Sequence, residues 1–102
     1  FGSVGLETLL PLTLSLVKDK KISLHKAISL ITDGPSKIMK LNTGIIKKKN
    51  DADLCIFDLN YPWKIDPEKF YSKSKNTPFD ALLVDGKNLM TFVKGRLVYN
   101  KQ

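Results

Sequence analysis

Leu6, Leu9, Leu10, Leu14 and Val17 recur at spacings of three and four, the period of a helix with one buried face. Pro11 limits where that helix begins, because proline lacks an amide hydrogen and is tolerated only in a first turn. The pattern predicts a helix from Leu10 to Lys18, fed by a loop that contains Gly2 and Gly5. Ser23 is a good cap for a second helix, whose apolar face is Leu24, Ala27, Ile28 and Ile31. Asp33-Gly34-Pro35 is expected to stop it. Pro35 then suits the first position of a third helix, Pro35 to Lys40, burying Ile38 and Met39, and Gly44 marks the way out.

Beyond Gly44 the pattern changes. Ile45 and Ile46, the basic turn Lys47 to Asn50 and the run Leu54-Cys55-Ile56-Phe57 read as strand, turn, strand. Apolar residues at successive positions of that run predict a strand covered on both faces. Leu82 to Val84, Leu89 to Val93 and Arg96 to Tyr99 read as three more strands, separated by turns at Asp85-Gly86 and Lys94-Gly95. Tyr61 to Phe79 shows no clear period and reads as an ordered loop, with a docking or functional role. Helices come first and strands afterwards, without internal repeats, which divides the chain into 1–43 and 44–102, the ordered loop lying at 60–79.

Composition narrows the partners. The chain has 102 residues and a net charge of +7, which suits an anion, an acidic surface or nucleic acid. Its cations are lysines except Arg96, whereas base-edge readout leans on bidentate arginine, so no nucleic-acid partner is expected. No apolar stretch approaches the roughly 20 residues that span a bilayer, so no membrane partner is expected either. Cys55 is the only cysteine and reads as a buried small hydrophobe in a reducing, cytoplasmic setting.

Few residues offer chemistry of their own. A hydrolytic metal site needs three or more converging ligands, and this chain offers one histidine and one cysteine. Asp51 and Asp53 should diverge at a strand start and form a turn. His25, between Leu24 and Lys26, reads as a solvated surface residue, and Ser23 as a cap, not a nucleophile. Gly2, Gly5 and the helix start have the form either of a structural loop or of an anion contact, with Glu7 complementing the helix dipole. Trp63, Tyr61, Phe70, Tyr71 and Phe79 read as a packing patch, and Asn76-Thr77-Pro78 as a rigid turn.

Three blocks nonetheless resemble bacterial-type dihydroorotases: Phe1 to Leu12, Gly44 to Asp58, and Trp63 to Tyr99. The middle block, with Gly44-Ile45-Ile46 and Asp51-Ala52-Asp53-Leu54, and the hairpin ending in Val93-Lys94-Gly95-Arg96-Leu97-Val98-Tyr99 look like patterns shared across amidohydrolases, including hydantoinases and allantoinases. Gly5-Leu6-Glu7-Thr8 and Ser72-Lys73-Ser74-Lys75-Asn76-Thr77-Pro78-Phe79 look more particular to dihydroorotase. Asn50 stands where such sequences commonly have a glycine, a mild change because asparagine tolerates positive φ. Ala81 stands where they often have glycine, which alters the turn if positive φ is needed there.

The resemblance implies an α/β fold: the last helices of a (β/α)8 amidohydrolase barrel followed by the C-terminal strands of a small β domain built from both chain ends. It implies a reversible cyclisation of N-carbamoyl-L-aspartate to dihydroorotate in pyrimidine biosynthesis. Zinc would polarise the carbonyl and generate hydroxide while an aspartate moves the proton. The zinc ligands, a bridging lysine and that aspartate would lie upstream of Phe1, so the segment alone would bind no zinc and be inactive. The Phe-Gly pair ahead of the Gly-Leu-Glu-Thr motif makes Phe1 and Gly2 the expected substrate-binding residues. Expected partners are the small-molecule substrate, the N-terminal part of the same protein, and a second copy or aspartate transcarbamoylase. A noncatalytic scaffold of such a transcarbamoylase complex, and an allantoinase or hydantoinase relative, are the alternatives.

Overall fold

The computed structural model describes residues 3–101. Three helices lead into a three-stranded antiparallel sheet: α1 (Leu9–Lys18), α2 (Leu24–Ile31) and α3 (Asp33–Ile38), then β1 (Leu54–Lys64), β2 (Leu83–Val93) and β3 (Arg96–Asn100) in the spatial order β1-β2-β3.

Helix α1 carries Pro11 in its first turn, where the missing amide costs nothing, and buries Pro11 and Leu14. The buried face is turned from the expected one: Leu6 and Leu9 are exposed among the described residues. Ser23 caps α2, its Oγ accepting from the Lys26 amide at 3.1 Å, and Ala27 is the buried residue of that helix. Asp33-Gly34-Pro35 does not end helical structure as expected. Thr32 alone breaks it, with φ −126° and ψ −92°, and α3 starts at Asp33 with Pro35 still inside a first turn. The residue that α3 buries is Ser36, while Ile38 and Met39 are exposed. Ser36 Oγ donates to the Leu41 carbonyl at 3.0 Å and accepts from the Thr43 amide at 3.3 Å. That pair of bonds turns the chain back onto α3.

Ile45 and Ile46 are therefore not a strand. Gly44, at φ +81°, is pressed against the backbone of Thr32 and Asp33, and the two isoleucines after it are exposed. The turn Lys47–Asn50 forms, closed by the Asn50 amide on the Lys47 carbonyl at 3.1 Å, but the positive φ of 74° falls on Lys49 and not on Asn50.

The sheet has fewer and longer strands than the pattern suggested. Strand β1 runs on through Tyr61–Lys64, residues expected in the loop, and pairs with β2 from Leu54↔Phe92 to Lys64↔Leu83. Asp85-Gly86 is not a turn: β2 continues through it, and the register slips there, Asp58 facing Lys87 and Pro62 facing Asp85. Gly86 takes φ +107°, which an irregular ladder opposite Pro62 tolerates and an L-residue would resist. Close approach is the second reason, since a Cβ on Gly86 would lie 2.7 Å from Leu14 Cδ1. Helix α1 is thus seated on β2 at the one residue without a side chain, and the Lys18–Asp85 ion pair closes the same contact.

Lys94-Gly95 makes the expected two-residue hairpin, both residues at positive φ (50° and 78°), as a turn matched to strand twist requires. The core lies between α1, β2 and the segment after β1: Ile65, Phe70 and Val84 are buried, with Val4, Leu12, Trp63 and Phe79 packed around them. The run Leu54–Phe57 is not covered on both faces among the described residues. Leu54 and Ile56 are exposed, and so is Cys55, against expectation.

Candidate functional site

The two segments that look most particular to dihydroorotase lie 64 and more positions apart, and the fold ties each to the residue flanking the other. Gly5 opens a turn ahead of α1, its carbonyl accepting from the Thr8 amide at 3.3 Å and the Leu9 amide at 3.1 Å. Thr8 is buried beneath it. Ahead of the turn, the Val4 amide donates to the Asn76 carbonyl at 2.7 Å. Behind it, Glu7 Oε2 accepts from the Tyr71 amide at 2.8 Å. Two bonds, one on each side of Gly5, therefore tie the start of the chain to the 71–76 loop.

That loop is held from within. A short 3₁₀ turn, Pro67–Lys69, is capped by Asp66 Oδ1 accepting from the Glu68 amide at 3.1 Å, and delivers Phe70 into the core. Lys75 Nζ reaches back to the Phe70 carbonyl at 2.5 Å, and Ser72 Oγ donates to the Ser74 carbonyl at 2.7 Å. Thr77 Oγ1 accepts from the Phe79 amide at 3.2 Å, so Asn76-Thr77-Pro78 is the rigid turn expected of it. Phe70 at one end and Phe79 at the other anchor the loop by burial.

Beside this junction is a cavity of about 230 Å³, with Glu7, Leu10, Trp63, Tyr71 and Lys87 in its wall. Trp63 is fixed by Nε1 donating to the Gly86 carbonyl at 2.7 Å, and the Lys87 ammonium stands 3.7 Å from the centre of its ring. Desolvation lowers the Lys87 pKa, with Glu7 working against the shift. Of the expected packing patch, Trp63, Phe70 and Phe79 pack at the core, whereas Tyr71 is exposed and meets Tyr99 edge-on at 6.3 Å between ring centres, and Tyr61 faces the Lys101 ammonium at 5.0 Å.

Phe1 and Gly2, the expected substrate-binding residues, lie outside the described residues. Glu7 does not serve the helix dipole: the first turn of α1 has no acidic residue, and its carboxylate goes to the loop instead. Nothing in the sequence marks Tyr71 as its partner, because a backbone amide carries no residue signature. His25 is exposed on α2. Asp53 Oδ1 accepts from the Lys94 amide at 2.8 Å, fastening β1 to the hairpin turn. Among the described residues no three His, Cys, Asp or Glu side chains converge, so a ligand set for zinc is not found within them. No described helix is long and apolar enough to cross a membrane.

Residues 3–98 match the amidohydrolase family. The chain belongs to that family. This amidohydrolase chain is similar to the dihydroorotase of Anaplasma phagocytophilum, with 50% identity over all 102 residues, and to that of Ehrlichia canis, with 50% identity over 99 residues. It spans 23% and 22% of the length of those two relatives. Among solved structures it is similar to the L-hydantoinase of Arthrobacter aurescens, with a TM-score of 0.91 and 35% identity over 98% of this chain and 23% of that one.

Proposed function

We propose that this chain is the C-terminal part of a dihydroorotase, the cyclic amidohydrolase that interconverts N-carbamoyl-L-aspartate and dihydroorotate, and that the segment alone is inactive. One observation carries the reading: two hydrogen bonds, Tyr71 amide to Glu7 and Val4 amide to Asn76, each join a residue of one dihydroorotase-like segment (Gly5–Thr8 or Ser72–Phe79) to the residue flanking the other, in a chain half identical to relatives of that name. In this reading Phe1 and Gly2 wall the substrate pocket, α1 to α3 belong to a (β/α)8 barrel, and β1 to β3 join strands from elsewhere in the polypeptide. Apolar side chains exposed on both the helical side (Leu6, Leu9, Ile38) and the sheet (Leu54, Ile56, Val98) support a larger body that covers them. The zinc ligands and the proton-moving aspartate belong to that remainder.

The likeness to an L-hydantoinase favours a second reading, a relative acting on hydantoin or allantoin. Assaying these 102 residues joined to the polypeptide that naturally precedes them separates the two. With zinc present, turnover of dihydroorotate but not of hydantoin or allantoin is expected, and none from the segment alone. A preference for hydantoin or allantoin would overturn the assignment, and turnover by the lone segment would overturn its inactivity.

A further inference from the structure

The net charge of +7 is not spread along the chain. Residues 18–49 hold nine lysines and two aspartates, while the rest holds eight cations and eight carboxylates, so the whole excess falls on this one stretch. All nine lysines are exposed. Lys18 pairs with Asp85 and Lys37 with Asp33, the latter at 3.6 Å. No ion pair among the described residues answers Lys20, Lys21, Lys26, Lys40 or Lys47 to Lys49. The fold gathers these seven into one lobe. Helix α2 packs on α1 and on α3, and among the described residues neither α2 nor α3 makes a comparable contact with the sheet. Gly44 lies against the backbone of Thr32 and Asp33, where α2 gives way to α3, so the Lys47–Lys49 turn leaves from the same lobe.

Three of these lysines hold their charge against backbone preference. Lys20, Lys40 and Lys49 have φ of 58°, 57° and 74°, the region that favours glycine or asparagine. The dipoles of α1 and α3 answer Lys20 and Lys40, which follow the C-terminal ends of those helices, but Lys49 has no helix beside it. Lysine is almost never buried unless paired, so further chain packing on the apolar sides of this molecule cannot also cover the lobe by apolar contact. What complements it is negative charge. Residues 18–49 contain no arginine and no Phe, Trp or Tyr, the side chains that fork onto phosphates and stack on bases. A membrane-surface helix would line its cations along one face, whereas α2 carries a single lysine and six of the nine stand between or beyond the helices. A second copy would set like charge on like charge.

We infer that the lobe formed by α2, α3 and residues 39–49 is a docking surface for a carboxylate-rich face of another protein, read by Lys40 and Lys47 to Lys49 with support from Lys20, Lys21 and Lys26. The inference is independent of which cyclic amide the enzyme acts on.

The test uses these 102 residues joined to the polypeptide that naturally precedes them, with fluorescent poly-L-glutamate of about 20 residues as the probe, in about 50 mM salt. Binding should be seen by anisotropy and should weaken several-fold by about 200 mM salt. Lys40→Gln, Lys47→Gln, Lys48→Gln and Lys49→Gln together should cost about tenfold in affinity, the sum of four exposed charge pairs. Lys64→Gln, Lys69→Gln, Lys73→Gln and Lys94→Gln together remove the same charge from the balanced part of the chain and should cost less than about twofold. In the unsubstituted protein the probe should slow acetylation of Lys40 and Lys47 to Lys49 more than that of the four control lysines, a reading that survives if the variants fail to fold. Equal losses in the two variants, or equal protection of the two sets, would overturn the inference. So would an absence of binding at low salt, which would mean that carboxylates of the same polypeptide already answer the lobe. Tighter binding to a single-stranded oligonucleotide of equal charge, or to vesicles containing phosphatidylserine, would replace the protein partner with nucleic acid or a membrane.

Discussion

Ala81 has φ 66°, a conformation in which an L-residue crowds its own carbonyl and glycine does not. The position has no freedom to relax, because the Ala81 amide donates to the Ile65 carbonyl at 2.8 Å and the Leu82 amide to Phe79 at 3.1 Å. Ala81→Gly should therefore raise stability by about 1 kcal/mol, the left-handed strain outweighing the extra freedom glycine has when unfolded, read as a higher midpoint in urea. A lower midpoint would mean the strain is absent. Cys55 shows a second residue-scale conflict, between access and reactivity. Its thiol is exposed, yet desolvation by the neighbouring chain raises its pKa above the ordinary 9.0. Since the thiolate is the nucleophile, alkylation by iodoacetamide at pH 7.5 should be slower than for an unfolded peptide cysteine, with the pH–rate midpoint above 9.0. The raised pKa lies in the folded state, so it leaves stability unchanged well below pH 9.0, and stability is lost as pH rises through and beyond that value.

At the scale of elements, the sequence was legible wherever a local rule decided the outcome. Ser23 caps α2, Pro11 sits in a first turn, and Lys94-Gly95 makes a hairpin, because each depends on neighbours within four positions. It was misleading where distant chain decided. Asp85-Gly86 has turn chemistry, but the approach of Leu14 and the hydrogen bond from Trp63 use the glycine as a seat within β2. Ile45 and Ile46 have strand propensity, but the backbone is diverted onto α3 by Ser36 and Gly44. The loop after β1 was recognisable, though its contact with Glu7 was not, since that bond ends on a main-chain amide. Gly44 gives a prediction at this scale. A Cβ there would lie 2.8 Å from the Asp33 nitrogen and 2.9 Å from the Thr32 carbonyl carbon, both backbone atoms that cannot swing away, in addition to a φ of +81°. Gly44→Ala should cost about 2 kcal/mol or more and detach the 41–46 segment from α3. Faster hydrogen exchange at Thr43, with little change in β2, is the expected signature. Uniform destabilisation would mean that the segment and the sheet unfold together.

For the molecule as a whole, the balance between covered and exposed apolar surface is uneven. The buried apolar residues among those described are Pro11, Leu14, Ala27, Ile65, Phe70 and Val84, while Leu6, Ile38, Ile46 and Leu83 stand more than three-quarters exposed. The Cα radius of gyration, 14.5 Å, exceeds the roughly 13 Å of a compact domain of this length, so the helices and sheet do not close on one another as a self-contained body would. The β1 run, the outer side of α1 and the end of α3 offer apolar area at once, which is the surface the proposed larger body would cover. The 102-residue chain made by itself should enhance the fluorescence of a dye that binds apolar surface and should self-associate as its concentration rises in sedimentation experiments. Joining it to the preceding part of a dihydroorotase should suppress both effects, because the same side chains would then be buried against that part. The high net charge opposes association and is screened by salt, so self-association of the lone chain should strengthen from 10 mM to 200 mM salt, roughly where the Debye length falls from 30 Å to under 10 Å. A lone chain that stays monomeric and dark to the dye across that range would show the exposed residues to be ordinary solvated surface, and the case for a larger covering body would have to rest on sequence likeness alone.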